Sequence, residues 1–336
     1  MNVKVKIGDR YVGKDEACFI IAEIASNFDQ NISQAKILID KAIEAKVDAV
    51  KFQLFKADWL VPQEHAAYSI IKNNEFPREW TKELFLYAKK GGILFLATPF
   101  DTEAVDLLDD LGVVAFKWAS PEIYDLPLLK HAAKKKKPII LSTGMCSLED
   151  IKPAVDTILQ EGNRDIILLH CVSLYPAAPQ YANLRMMDDM RRNFNCPVGF
   201  SDHTEGIAIP IAAAARGACI IEKHFTLSRQ LEGPDHSFAL EPEEFIKMVR
   251  FIREAEQGLG LPIKKHVEGV ENLRLHKKSL AAKTDIAKGS QLEESMIMCL
   301  RTSGGIDPRE LSELLIRSPN RDIKKFEVLK WDIFKK

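Results

Sequence analysis

The chain has 336 residues, 47 Lys and Arg against 48 Asp and Glu, a formal net charge of −1, and 46% hydrophobic residues. That balance gives no global attraction to nucleic acid or to an anionic membrane, and no run of about 18 uncharged apolar residues offers a spanning helix. The length suits one large domain with a small companion, or two medium ones.

Residues Met1 to Arg10 alternate like an edge strand and lack the apolar region of a secretion signal. An amino-terminal β-hairpin over about residues 2–16 and a cytoplasmic location are therefore expected. Six cysteines are scattered without a Cys-x-x-Cys pair, so free thiols in a reducing compartment are expected rather than a zinc knuckle or a disulfide frame.

From residue 18 the pattern alternates strictly. Apolar strand-like runs occur at Cys18–Ala25, Val47–Leu54, Ile93–Ala97, Val113–Ala119, Pro138–Ser142, Ile166–Cys171, Pro197–Ser201 and Ala218–Lys223. Helical patterns separate them. Residues 33–46 repeat apolar side chains at three and four, Asp101 and Ser147 are placed as caps, and residues 206–217 are Ala-rich. A last helix opens on Pro242 and runs to about Leu259. Eight strands alternating with helices predict a (β/α)8 TIM barrel, and no Gly-x-Gly-x-x-Gly turn follows the first strand to suggest a dinucleotide fold.

Composition shifts after Gly260. The expected division is a barrel over 1–260, a linker over 261–276, and a small domain over 277–336 built of short strands and turns. A unit of that size is marginal alone, so it is expected to dock on a barrel, its own or a second subunit's.

Charged side chains at buried strand ends need a reason. Glu23, Lys51, Gln53, Thr98, Lys117, Ser142, His170, Ser201 and Glu222 with Lys223 occupy such positions, and Ser120 and Glu122 follow the fourth strand. Each alone reads as an ion pair or a bonded core residue. Together, at the carboxyl rim of a barrel, they read as a site. His203 and His224 follow neighbouring strands, close enough to share a divalent cation that polarises a carbonyl. Two lysines with the hydroxyls of Thr98, Ser120, Ser142 and Ser201 suit a small, multiply anionic ligand, such as a phosphate ester that carries a carboxylate. Glu23 is a candidate base or water-orienting group. Three readings compete: a metal-dependent condensing enzyme, a Schiff-base aldolase using Lys117, and a non-catalytic sugar-binding protein. His65, His131, His266 and His276 are expected in solvent, as is His236, which beside Asp235 is also a candidate for bonding to a group that itself touches the metal.

In order along the chain, Ala22-Glu-Ile24, Val50-Lys-Phe-Gln53, Ala97-Thr-Pro-Phe-Asp101, Lys117-Trp-Ala-Ser-Pro-Glu122, Leu141-Ser-Thr-Gly-Met145, His170-Cys-Val-Ser-Leu-Tyr-Pro176, Val198-Gly-Phe-Ser-Asp-His-Thr204, Ile221-Glu-Lys-His-Phe225 and Gly233-Pro-Asp-His-Ser237 resemble the sialic acid (N-acetylneuraminate) synthase family. The tail, with Lys288-Gly289 and Arg301-Thr-Ser-Gly-Gly305, resembles the antifreeze-like (SAF, β-clip) domain that ends those enzymes. The likeness spans nearly the whole chain and leans toward the surface-polysaccharide, spore-coat branch.

The resemblance implies condensation of phosphoenolpyruvate with an N-acyl hexosamine to a nine-carbon 2-keto-3-deoxy acid. It implies a divalent cation, manganese before magnesium or cobalt, on His203 and His224. It further implies Lys51, Thr98, Lys117, Ser120, Ser142, Ser173 and Ser201 around phosphoenolpyruvate, and Glu23 and Glu122 beside water or protons. Gln53, Tyr175 and Asp235 would lie near the acceptor. Arg301 would serve the sugar of the neighbouring subunit in a domain-swapped homodimer. Two departures stand out. Phe28 replaces a family histidine and is expected to alter the rim near the acceptor, and Ser173 replaces an asparagine at the sixth strand.

Overall fold

The computed structural model describes residues 1–336 apart from residues 2, 261–262, 264–268, 270–271, 273–275, 303 and 335–336. The chain forms two compact units, Met1–Gly260 and Leu261–Lys336. The expected linker over 261–276, with His266, lies largely outside the described residues.

In the first unit β1 (Lys4–Ile7) and β2 (Arg10–Gly13) pair as an antiparallel hairpin. Eight strands follow: β3 (Phe19–Glu23), β4 (Ala49–Leu54), β5 (Leu94–Pro99), β6 (Phe116–Trp118), β7 (Ile139–Ser142), β8 (Ile166–Cys171), β9 (Val198–Asp202) and β10 (Ile220–His224). They form one sheet in the order β5-β4-β3-β10-β9-β8-β7-β6, each bonded pair parallel, and β5 lies against β6 at the seam. This is the expected TIM barrel. The strands match the predicted runs to within a few residues, except that β6 shrinks to three residues.

The helices stand where the caps predict. Asn31 caps α1 (Ile32–Glu44), accepting from the N–H groups of Ser33 and Gln34. Asp101 caps the helix Thr102–Leu111, and Ser147 and Asp150 form a reciprocal capping box on Leu148–Gln160. Ala208–Ala215 is the short crossover between β9 and β10, and Pro242–Leu259 is the last helix of the unit.

Strand alternation divides the side chains into two cores. Ile20, Ala22, Val50, Phe52, Phe95, Ala97, Trp118 and Leu141 face the helices. Phe19, Ile21, Ala49, Leu96, Ala115, Ile140, Ile167, Leu169 and Ile220 fill the lumen, and Val5, Ile7 and Val12 of the hairpin pack with them. The hairpin therefore plugs the amino-terminal end of the cylinder. Gly199 belongs to this crowded layer, since a Cβ there would lie 2.6 Å from the Ile220 carbonyl oxygen. Above it most lumen-facing positions become polar, with Ala119 and Cys171 among the exceptions.

The second unit pairs β11 (Lys278–Ala282) with β12 (Ile297–Arg301), antiparallel, over a core of Leu280, Ile286, Leu292, Ile306, Leu314 and Leu329. A Cβ on Gly305 would lie 2.4 Å from Val328 Cγ1 and 2.7 Å from Ser279 Cβ, so close packing alone requires glycine there.

Ile7 is fully buried at the plug. The substitution Ile7→Ala should cost about 2–5 kcal/mol of barrel stability, read as an earlier midpoint in chemical denaturation followed by tryptophan fluorescence.

Candidate active site

The polar top of the lumen encloses a cavity of about 190 Å³. Its floor is a chain of buried charges. Gln53 Nε2 donates to Glu23 Oε1 at 2.8 Å, and Lys51 Nζ lies 2.8 Å from Glu23 Oε2 and 3.0 Å from Glu222 Oε2. Lys117 Nζ lies 3.4 Å from Glu222 Oε1 and donates to Ser142 Oγ at 2.7 Å and to the Trp118 carbonyl at 3.0 Å. Ser201 Oγ donates to Glu222 Oε1 at 2.9 Å. All four charged groups are at most 4% exposed. Burial drives the Lys51 ammonium down, against the pull of Glu222, to about 7. Burial pushes Glu222 upward, but Lys117 and Lys51 outweigh it and hold its carboxyl well below the usual range.

Beside Lys117 the loops after β6, β7 and β8 converge on Gly144. Its N–H donates to Ser120 Oγ at 2.8 Å. A Cβ on Gly144 would lie 2.3 Å from Ser173 Oγ, 3.0 Å from Ser120 Oγ and 3.2 Å from Cys171 Sγ. Glycine lets the two hydroxyls and the thiol approach one point; Ser120 and Cys171 line the cavity, whereas Ser173 stands just behind them. Thr98 of the neighbouring β5, 1% exposed, also lines the cavity.

The imidazoles stand at the carboxyl end. The register sets Glu23 opposite His224 and Ser201 opposite Glu222, so His203, two residues beyond Ser201, shares the lumen face. The His203 and His224 ring centroids are 5.3 Å apart. His203 Nδ1 donates to the Val172 carbonyl at 2.8 Å, which leaves Nε2 as the free lone pair. His224 Nδ1 is buried and meets no hydrogen-bond partner. Burial first, then the facing His224, lowers His203 to about 4; burial, with Lys51 next, lowers His224 to about 3. Both rings are neutral at pH 7, as metal ligands must be. Among the described residues no third His, Cys, Asp or Glu joins them in a ready-made cluster. A cation held here would keep most of its positions for water and ligand oxygen.

Tyr175 packs 4.2 Å from His203, ring to ring, and Phe238 packs 4.9 Å from His224. Asp235 accepts from Ser26 Oγ at 3.0 Å, and burial raises its carboxyl. Glu122 follows the lining residues Ser120 and Pro121 but does not itself line the cavity. It is half-buried, and desolvation, with Asp125 second, raises it to about 7. Arg301 ends β12 in the second unit, exposed.

Several sequence expectations are corrected. Lys223 turns away from the lumen and pairs with Asp202 at 2.6 Å. His170 also faces outward, its Nε2 2.7 Å from the Ala182 carbonyl. His236 is buried rather than solvated, bonded to Thr226 Oγ1 at 2.7 Å and to Asp29 Oδ1 at 2.8 Å. Phe28 does not alter the rim, because it packs with Phe52, Phe76 and Trp80 on the outer side of the strands. The sequence reading also left Glu222 without a role, although its place two residues before His224 on a strand was the available signal.

Residues 38–264 match the NeuB family. The N,N'-diacetyllegionaminic acid synthase of Legionella pneumophila is 38% identical, with 95% of each chain covered. The crystal structure of the spore coat polysaccharide biosynthesis protein of Bacillus subtilis superposes with a TM-score of 0.70 at 38% identity, covering 99% of both chains. The N-acetylneuraminic acid synthetase structure from Leptospira borgpetersenii gives a TM-score of 0.76 at 35% identity, over 80% of this chain and 95% of that one. Buried lysines beneath a rim of paired imidazoles thus occur in a chain alike along its length to a diacetyllegionaminic acid synthase and a sialic acid synthetase, and the protein belongs to the NeuB family.

Proposed function

We propose that the chain condenses phosphoenolpyruvate with an N-acyl hexosamine, N-acetylmannosamine or a 2,4-diacetamido relative, giving a nine-carbon 2-keto-3-deoxy acid and inorganic phosphate. The observation that carries this is one small cavity with two lysines and a hydroxyl cradle at its floor and two neutral imidazoles at its mouth. In the reaction, carbon 3 of phosphoenolpyruvate bonds to the aldehyde carbon, whose oxygen takes up a proton. Water adds to carbon 2 and loses a proton. The bond from carbon 2 to the bridging oxygen then breaks, the carbon 2 hydroxyl gives its proton to the departing phosphate, and the keto group remains.

Lys51, Lys117, Thr98, Ser120, Ser142, Ser173 and Ser201 would seat the phosphate and carboxylate. Glu23, bonded to Gln53, is placed to orient water or a sugar hydroxyl. Glu122, raised to about 7, is suited to exchanging a proton at neutral pH. Tyr175, Asp235 and Gln53 would border the acceptor. Arg301, from the small domain of a neighbouring subunit in a domain-swapped, antifreeze-like arrangement, would meet its N-acyl group.

Charge counting favours a cation. Lys51 lies between Glu23 and Glu222 and Lys117 lies beside Glu222, so both amino groups already have carboxyl partners. A multiply anionic ligand would arrive uncompensated in a low-dielectric cavity. A divalent cation on His203 and His224, manganese first with magnesium or cobalt as substitutes, would supply the balance and polarise the aldehyde oxygen. The aldolase reading is less favoured, because Lys117 is held by Ser142, the Trp118 carbonyl and Glu222 and has no freedom to attack a carbonyl.

Phosphate release from phosphoenolpyruvate should require an N-acyl hexosamine, stop with EDTA and resume on adding manganese. The substitutions His203→Ala and His224→Ala should each abolish it with the circular dichroism spectrum unchanged; full turnover in both would remove the cation from the reaction. Since both rings lose their protons far below neutrality, manganese affinity should stay flat from pH 7 to pH 5.5. Two solvated histidines would lose roughly a hundredfold over that interval, which titration calorimetry at the two pH values distinguishes.

A further inference from the structure

Behind the two imidazoles, on the outer side of the barrel wall, lies a buried ion pair that the proposed reaction leaves unused. Lys223 of β10 and Asp202 of β9 face each other in register. Lys223 Nζ lies 2.6 Å from Asp202 Oδ2, with the side chains 1% and 0% exposed. The same ammonium donates to the Thr204 carbonyl, and the Thr204 N–H donates to Asp202 Oδ1 at 2.9 Å. These bonds close around His203, which lies between Asp202 and Thr204, and end on the residue before His224.

Two further observations separate this pair from ordinary wall packing. Ala22, Phe52, Ala97, Trp118 and Leu141 on five of the other strands turn apolar side chains to the same outer layer, and β8 turns His170 there, bonded to the Ala182 carbonyl. Charge enters that layer on the two strands that carry the imidazoles. A buried ion pair is also a poor stabiliser, since desolvation consumes most of what the attraction returns and an apolar pair of equal bulk holds a wall as well. An apolar pair cannot supply directional bonds of fixed length to the backbone of Thr204.

We infer that Lys223 and Asp202 are positioning residues that fix the separation of His203 and His224 and thereby set the affinity of the rim for a divalent cation. The inference rests on the cation reading of the two imidazoles. In the folded chain the pair locks the ends of β9 and β10 together, while His203 Nδ1 is held from the other side by the Val172 carbonyl.

The test is manganese binding to the metal-free full-length protein, with free Mn2+ counted by electron paramagnetic resonance and folding followed by thermal melting. The double substitution Asp202→Leu with Lys223→Met should melt near the unaltered protein but bind Mn2+ about 10–100-fold more weakly, the usual cost of losing a partner that orients a ligand. Unchanged affinity in that folded variant overturns the inference. If the double variant does not fold, the near-isosteric Asp202→Asn is judged by the same criterion. Should the unaltered protein bind no Mn2+, or should His203→Ala bind it equally well, the cation reading falls and takes this inference with it. Loss of binding in His203→Ala with none in the double variant sinks the positioning role alone.

Discussion

Glu222, held between Lys51 and Lys117 inside a cylinder of strands, is the contact on which the rest of the site depends. Two ammonium groups placed together in a dry lumen repel each other and lose hydration, and neither would remain there charged. One carboxylate between them, with Glu23 on the far side of Lys51, gives each amino group a partner and makes the arrangement tolerable. Removing any one member would strand a buried charge, a defect that typically costs about 3–5 kcal/mol. The set is therefore kept whole or not at all.

The barrel supplies this at little expense because strand alternation lets one segment do two jobs. In Ile220-Ile-Glu-Lys-His224 the first, third and fifth side chains enter the lumen as packing, counter-charge and imidazole, while the second and fourth face the outer layer. The same division runs through Val198-Gly-Phe-Ser-Asp202 and Ala49-Val-Lys-Phe-Gln-Leu54. Apolar residues occupy the lower lumen positions and polar ones the upper, so the transition from core to site lies within each strand rather than between domains.

Much of this was legible in the sequence for that reason. Eight apolar runs with helical segments between them specify the cylinder, and polar residues in their last positions specify the rim. The alternation also says which polar residues share a face, and there the reading faltered: Glu222 and Lys223 looked alike as adjacent charges, whereas a period of two sends them to opposite sides. His170 turned outward by the same rule. Phe28 and His236 were beyond any local pattern, because a loop residue's direction is decided by distant partners, Phe76 and Trp80 for one and Asp29 and Thr226 for the other. Gly144 carried a faint signal in Ser142-Thr-Gly144, but its reason, three side chains meeting where a methyl would sit, exists only in three dimensions.

The amino-terminal plug has a kinetic meaning. With Val5, Ile7 and Val12 packed into one end, the described residues leave the polar end as the way into the lumen. On the proposed reading, a ligand seated on the lysines would have to go in ahead of one seated between the rings. The depth of the two seats, more than their relative affinity, would then dictate the sequence of arrivals.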